Sequence, residues 1–235
     1  MTDTRRLPTV GVIMLRTAFP RPPGDIGNPE TFRGRMLREV VEDATVARVM
    51  GGDARDPALA SAFVAARDRL AAQGADIVTT SCGVLVLHQD RLRQGSPVPV
   101  TASALLQLPR RIAEYGRVGV MAMDSAGITP AHLEAAGAPA DTPVVGLEDG
   151  DELHRVLRAN SPDVPLDPQR AEADVVAAGW RLLAAHPGLR AIVLECTNLP
   201  PYREALARAT GLPVFDILTW LDEVWAEADA AALPA

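Results

Sequence analysis

Short apolar, β-branched runs alternate along this chain with longer stretches in which Ala, Leu and Arg recur at helical spacing. That alternation predicts a parallel sheet covered by helices on both faces. The runs place strands near 9–15, 37–49, 75–80, 98–101, 117–123, 143–147, 190–195 and 213–216. The amphipathic stretches place helices near 57–73, 84–94, 103–115, 130–136, 150–159, 168–186, 200–210 and 217–230. Start and stop signals support several of them: Asp56-Pro57 opens one helix, Gly74 closes it, and Thr129-Pro130 opens another. Between Phe19 and Phe32 the periodicity is lost among four prolines, which predicts a long loop after the first strand. Long loops at strand ends of α/β proteins usually border a ligand site.

The chain also repeats itself. Val10-Gly11-Val12 is echoed by Val118-Gly119-Val120, and Thr17-Ala18 by Ser125-Ala126. Gly74 lies eight residues before Cys82 as Gly188 lies eight before Cys196, and Pro99-Val100 and Pro213-Val214 follow the two cysteines. The offset is 108 residues at the first pairs and 114 at the later ones, as a duplicated unit with one small insertion would give. The expected architecture is therefore α/β, two pseudo-symmetric doubly wound domains with parallel sheets and an active site in the cleft between them. Residues 1–101 with 213–235 would form the first domain, the last helix crossing back to complete it, and 102–212 the second.

Composition narrows the class. The chain has 235 residues, 48% of them apolar, enough for a substantial core. A net charge of −7, with basic residues no denser than pairs such as Arg110-Arg111, offers no footprint for nucleic acid or anionic lipid. No apolar run is long enough for a membrane span or a signal-peptide core, so a cytoplasmic location is expected. Two cysteines make no disulfide framework, and four scattered histidines show no zinc-ligand spacing, so no metal and no cofactor are expected. Neither first-strand turn carries the glycine pattern of a dinucleotide site.

Cys82 and Cys196 then stand at equivalent strand ends, where ligands of doubly wound folds bind. Two thiols facing one cleft suit proton transfer at a carbon acid: one removes a proton from one face while the other supplies a proton to the opposite face. A helix N-terminus beside each would favour both a thiolate and a substrate carboxylate. Thr80, Ser81 and Gly83 around the first cysteine, and Thr197 and Asn198 after the second, are the expected substrate contacts. Arg16, at the end of the first strand, is expected to pair with a carboxylate, and Ser125 to face it from the repeated position. Strand alternation turns Glu195 away from the neighbouring thiol. The expected partner is a small carboxylic acid, with a homodimer as a possible assembly.

These residues resemble the aspartate/glutamate/hydantoin racemase superfamily. The resemblance rests on Leu-Glu-Cys-Thr-Asn-Leu-Pro at 194–200, on Ile-Thr-Thr-Ser-Cys-Gly spread over Ile77 to Gly83 with a Val inserted, and on the loop 21–32. It implies two α/β domains, one active-site cysteine from each, and proton abstraction beside a carboxyl without cofactor. A cofactor-independent racemase of an amino acid or related carbon acid is the expected function. Alternatives are a maleate-type cis-trans isomerase, an arylmalonate-type decarboxylase or a non-catalytic small-acid binding module. Amino-acid racemases of the superfamily have Asn-Thr after the first cysteine, where this chain has Gly83-Val84.

Overall fold

The computed structural model describes residues 7–51 and 56–232. Two four-stranded, all-parallel sheets form the framework. The first comprises β1 (Val10–Arg16), β2 (Met36–Thr45), β3 (Ile77–Thr80) and β4 (Val100–Thr101), in the order β2-β1-β3-β4. The second comprises β5 (Val118–Met121), β6 (Val144–Val145), β7 (Ala191–Leu194) and β8 (Val214–Phe215), in the order β6-β5-β7-β8. The two orders are identical once the repeat is aligned. In each sheet the central pair is buried on both faces, which is why Ile77-Val78 and Ala191 to Leu194 read as continuous apolar runs.

The repeat governs backbone detail as well. Gly74 and Gly188, the helix-ending glycines before each cysteine-bearing strand, have φ of 92° and 90°, a region L side chains rarely enter. Gly11 and Gly119 occupy the middles of β1 and β5, where a helix and the following turn press against the sheet. A Cβ on Gly11 would lie 3.0 Å from Ala75 Cβ. One on Gly119 would lie 2.8 Å from Leu182 Cδ2 and 2.9 Å from Leu189 Cδ1. Gly119→Ala is therefore expected to overpack this layer and cost about 1–3 kcal/mol, read as a lower urea midpoint at unchanged slope.

Two expectations are corrected. Residues 46–49 do not extend the second strand: β2 ends at Thr45 and Val46–Gly51 is a short helix bordering the cysteine cavity. Residues 213–216, expected to close the first unit, supply β8 instead, whose Ile192 and Val193 partners place it at the edge of the second sheet. The helix that follows, Ile217–Ala232, does reach back: Ile217 and Leu221 are buried with Val10, Ile77 and Val100 of the first sheet. No helix among the described residues is long and apolar enough to cross a membrane.

Candidate active site

The carboxyl ends of β1 and β3 from the first half, and of β5 and β7 from the second, open onto one cavity of about 660 Å³. Cys82 and Cys196 both line it, with Ser81, Gly83, Glu195, Thr197 and Asn198 from the same two turns. Each turn begins the same way. Ser81 N–H donates to the Ile13 carbonyl at 2.9 Å, and Glu195 N–H donates to the Met121 carbonyl at 2.8 Å, so Ser81 and Glu195 are equivalent positions one residue before each cysteine.

The two turns are also tied to each other. Thr197 donates its hydroxyl to the Ser81 carbonyl at 2.8 Å, while Ser81 Oγ accepts from Leu15 N–H at 2.9 Å. Thr80 is buried beneath the cavity and does not line it; it donates to the Ala102 and Cys82 carbonyls at 2.7 and 3.0 Å and so fixes the bend at Cys82. Asn198 accepts from the Cys196 thiol at 3.5 Å and donates to Asp25 at 2.6 Å.

Asp25 belongs to the proline-rich loop after β1 and is almost wholly buried. Besides Asn198 it accepts from Gly27 N–H at 2.7 Å and pairs with the Arg21 guanidinium at 2.7 Å. Ile26 N–H reaches the Thr197 carbonyl at 3.3 Å, so this loop of the first half is fastened onto the second cysteine turn. Arg21 in turn donates to Thr17 at 2.8 Å and lies over the Phe19 ring at 4.3 Å, on the cavity wall.

Not every expected contact is brought here. Arg16 is exposed on a neighbouring groove with Met14 and Arg38, because strand alternation sends Leu15 and Thr17 towards the cysteines and Arg16 to the other face. The arginine on the cavity is Arg21. Ser125 is also outside the cavity, bonded to the Glu148 carboxylate; its neighbour Asp124 lines the cavity instead, 2.8 Å from His154 Nε2. Glu195, expected to turn away, lines the cavity because β7 ends at Leu194 and the pleat is broken there.

Electrostatics follow from burial. Desolvation first, and the neighbouring Glu195 carboxyl second, push the Cys82 thiol up to about 12. The Val84 N–H and the Arg21 guanidinium act in the opposite direction on it. Cys196 is held well above its ordinary range, again by desolvation first and Glu195 next, with Cys82 also contributing. In the free protein both thiols therefore keep their protons at neutral pH.

The family profile of Asp/Glu/Hydantoin racemase matches residues 32–221. The chain belongs to this family. Among solved structures it is similar to the Gly74Cys mutant of arylmalonate decarboxylase, with a TM-score of 0.63 and 17% identity over 97% of this chain and 96% of that one. It is also similar to allantoin racemase from Pseudomonas fluorescens, with a TM-score of 0.59 and 18% identity over 96% and 92% of the two chains. At these identities the likeness establishes the fold. Curated relatives carry a different activity in their names. Dimethylsulfoniopropionate lyase 5 of Emiliania huxleyi is 29% identical over 94% of this chain, which spans 45% of that protein's length. The dimethylsulfoniopropionate lyase of a clade D Durusdinium is 28% identical over 91% of this chain and 73% of its own length. Dimethylsulfoniopropionate lyase 3 of Emiliania huxleyi is 30% identical over 90% and 57%.

These names correct the expected racemase, an isomerase, to a lyase. The paired cysteines could not separate the two activities, because both begin by taking a proton from the carbon beside a carboxyl.

Proposed function

We propose that this chain is a lyase of a small carboxylate bearing a cationic β-leaving group, of which dimethylsulfoniopropionate is the type, with Cys82 as the base. The observation that carries the reading is the joint placement of both family cysteines in a single cavity, in a chain whose curated relatives are named for that lyase activity.

Arg21 on the cavity wall supplies positive charge for the substrate carboxylate, beside Cys82. As the Cys82 proton is lost to solvent on substrate entry, the thiolate is held by the Val84 N–H, Arg21 and the incoming sulfonium charge. The thiolate takes the proton from the α-carbon, and the C–H pair becomes the Cα=Cβ bond. The Cβ–S bond breaks with its electrons going to sulfur. Acrylate and neutral dimethyl sulfide are formed, and Cys82 is left protonated. A sulfonium leaves without needing a proton, so elimination asks for one base where racemisation asks for two groups. Cys196, its S–H donating to Asn198, stays protonated and closes the cavity from the second half.

The test is headspace gas chromatography of the purified protein with dimethylsulfoniopropionate. Stoichiometric dimethyl sulfide and acrylate are expected. Turnover of amino-acid enantiomers or hydantoins with no sulfide released would overturn the reading.

A further inference from the structure

Among the charged groups around the cysteines, Glu195 is the one whose charge is answered by nothing in the protein. It is 4% exposed, lines the cavity, and its carboxyl makes no hydrogen bond or ion pair among the described residues. Every other charged side chain facing it is engaged. Arg21 is paired with Asp25, Asp124 accepts from or donates to His154, and Arg158 lies 3.8 Å from Asp124. Cys82 and Cys196 complete the surroundings as neutral thiols. The carboxyl reaches across the cleft: a Cβ on Gly83 would lie 2.7 Å from Glu195 Cδ, so the absence of a side chain at Gly83 is what gives it room. A carboxyl kept dry and unpaired is costly, and such a group persists where a ligand supplies the missing partner.

We infer that Glu195 is the recognition site for the cationic end of the substrate, selecting a trialkyl-onium carboxylate, sulfonium or quaternary ammonium, over neutral acids of the same shape. An onium centre has no N–H to donate, so a site built for it needs charge and a dry wall and no acceptor geometry. Glu195 provides the charge; Leu15, Val84 and Met123 of the same cavity provide apolar surface for the alkyl groups. Cys82 is influenced by both Arg21 and Glu195, which puts the base between a pole for carboxylate and a pole for cation. This rests on the lyase reading for the identity of the substrate and goes beyond it in assigning the cation's partner.

Burial alone holds the Glu195 carboxyl at about 8, so near neutrality much of it is protonated before a ligand arrives. Cation binding favours the ionised form and should release a proton, and affinity for a cation should rise with pH through that range.

Isothermal titration calorimetry with 3-(trimethylammonio)propionate and its uncharged isostere 4,4-dimethylpentanoate tests this. At pH 8.5 the wild-type protein is expected to prefer the cationic probe by about tenfold or more. The isosteric E195Q protein should hold the two within about twofold, with affinity for the neutral acid little changed, and E195D should restore part of the preference. At pH 7, titrations in buffers of different ionisation enthalpy should report proton release with the cationic probe only, in wild type and not in E195Q. Equal affinities in the wild type, no measurable binding of the cationic probe, or a preference that survives in folded E195Q would overturn the inference. Charge preference without sulfide production would sink the lyase reading and keep this site; sulfide production without charge preference would do the reverse.

Discussion

Replacing Cys82 by alanine should lower kcat/KM for sulfide release from dimethylsulfoniopropionate on the order of 10³-fold, the scale of a positioned general base. Cys82→Ser should fare little better, since a hydroxyl at this buried turn is a far weaker acid than the thiol it replaces. Because burial has pushed Cys82 up to about 12, the wild-type rate has a definite pH sign. The thiolate fraction grows tenfold per pH unit below that value, so kcat/KM should climb from pH 6 through pH 9. Should Cys82→Ala keep most of the wild-type rate, or the rate fall over that pH interval, Cys82 is not the base. Circular dichroism separates loss of chemistry from loss of fold.

Asp25→Ala should destabilise the protein by about 3 kcal/mol, the scale of removing one member of a buried ion pair. The substitution strips Arg21, Gly27 N–H and Asn198 of their common acceptor in one step. Asp25→Asn keeps an acceptor oxygen and should lose less. Urea denaturation measures both. The loop binds the halves near Thr197, so a second expected result is a raised KM, from an Arg21 no longer fixed against the wall. An Asp25→Ala protein with unchanged midpoint would show that the loop is held by its prolines and packing alone.

The fold was legible because each half must cover a parallel sheet with helices, and the resulting periods are strong over four to eighteen residues. All eight strands and the eight long helical stretches lie where the sequence places them, and the sheet orders follow the repeat. What the sequence hid were places where local rules compete. Val46–Gly51 is apolar enough to continue a strand, and only its packing beside the cavity turns it into a helix. Arg16 ends a strand, but strand alternation sends it to the face opposite Leu15 and Thr17, and the charge on the cavity comes from Arg21, in a loop without periodicity. Glu195 was hidden by applying alternation past the end of β7. The signal that could have found it was the 114-residue offset, which maps Ser81 onto Glu195. The racemase expectation failed for a chemical reason: leaving-group identity is a property of the substrate, and thiols that suit α-proton removal do not encode what departs from the next carbon.

The crowding between Gly83 and the Glu195 carboxyl joins two positions far apart in the chain into a single steric unit. A fold of this type that carries a side chain after its first cysteine, as Asn does in the amino-acid racemases, has to carry something shorter before its second. Exchanging substrates between the two kinds of enzyme would therefore take paired replacements, one from each half, and neither replacement alone would be tolerated by the wall it faces.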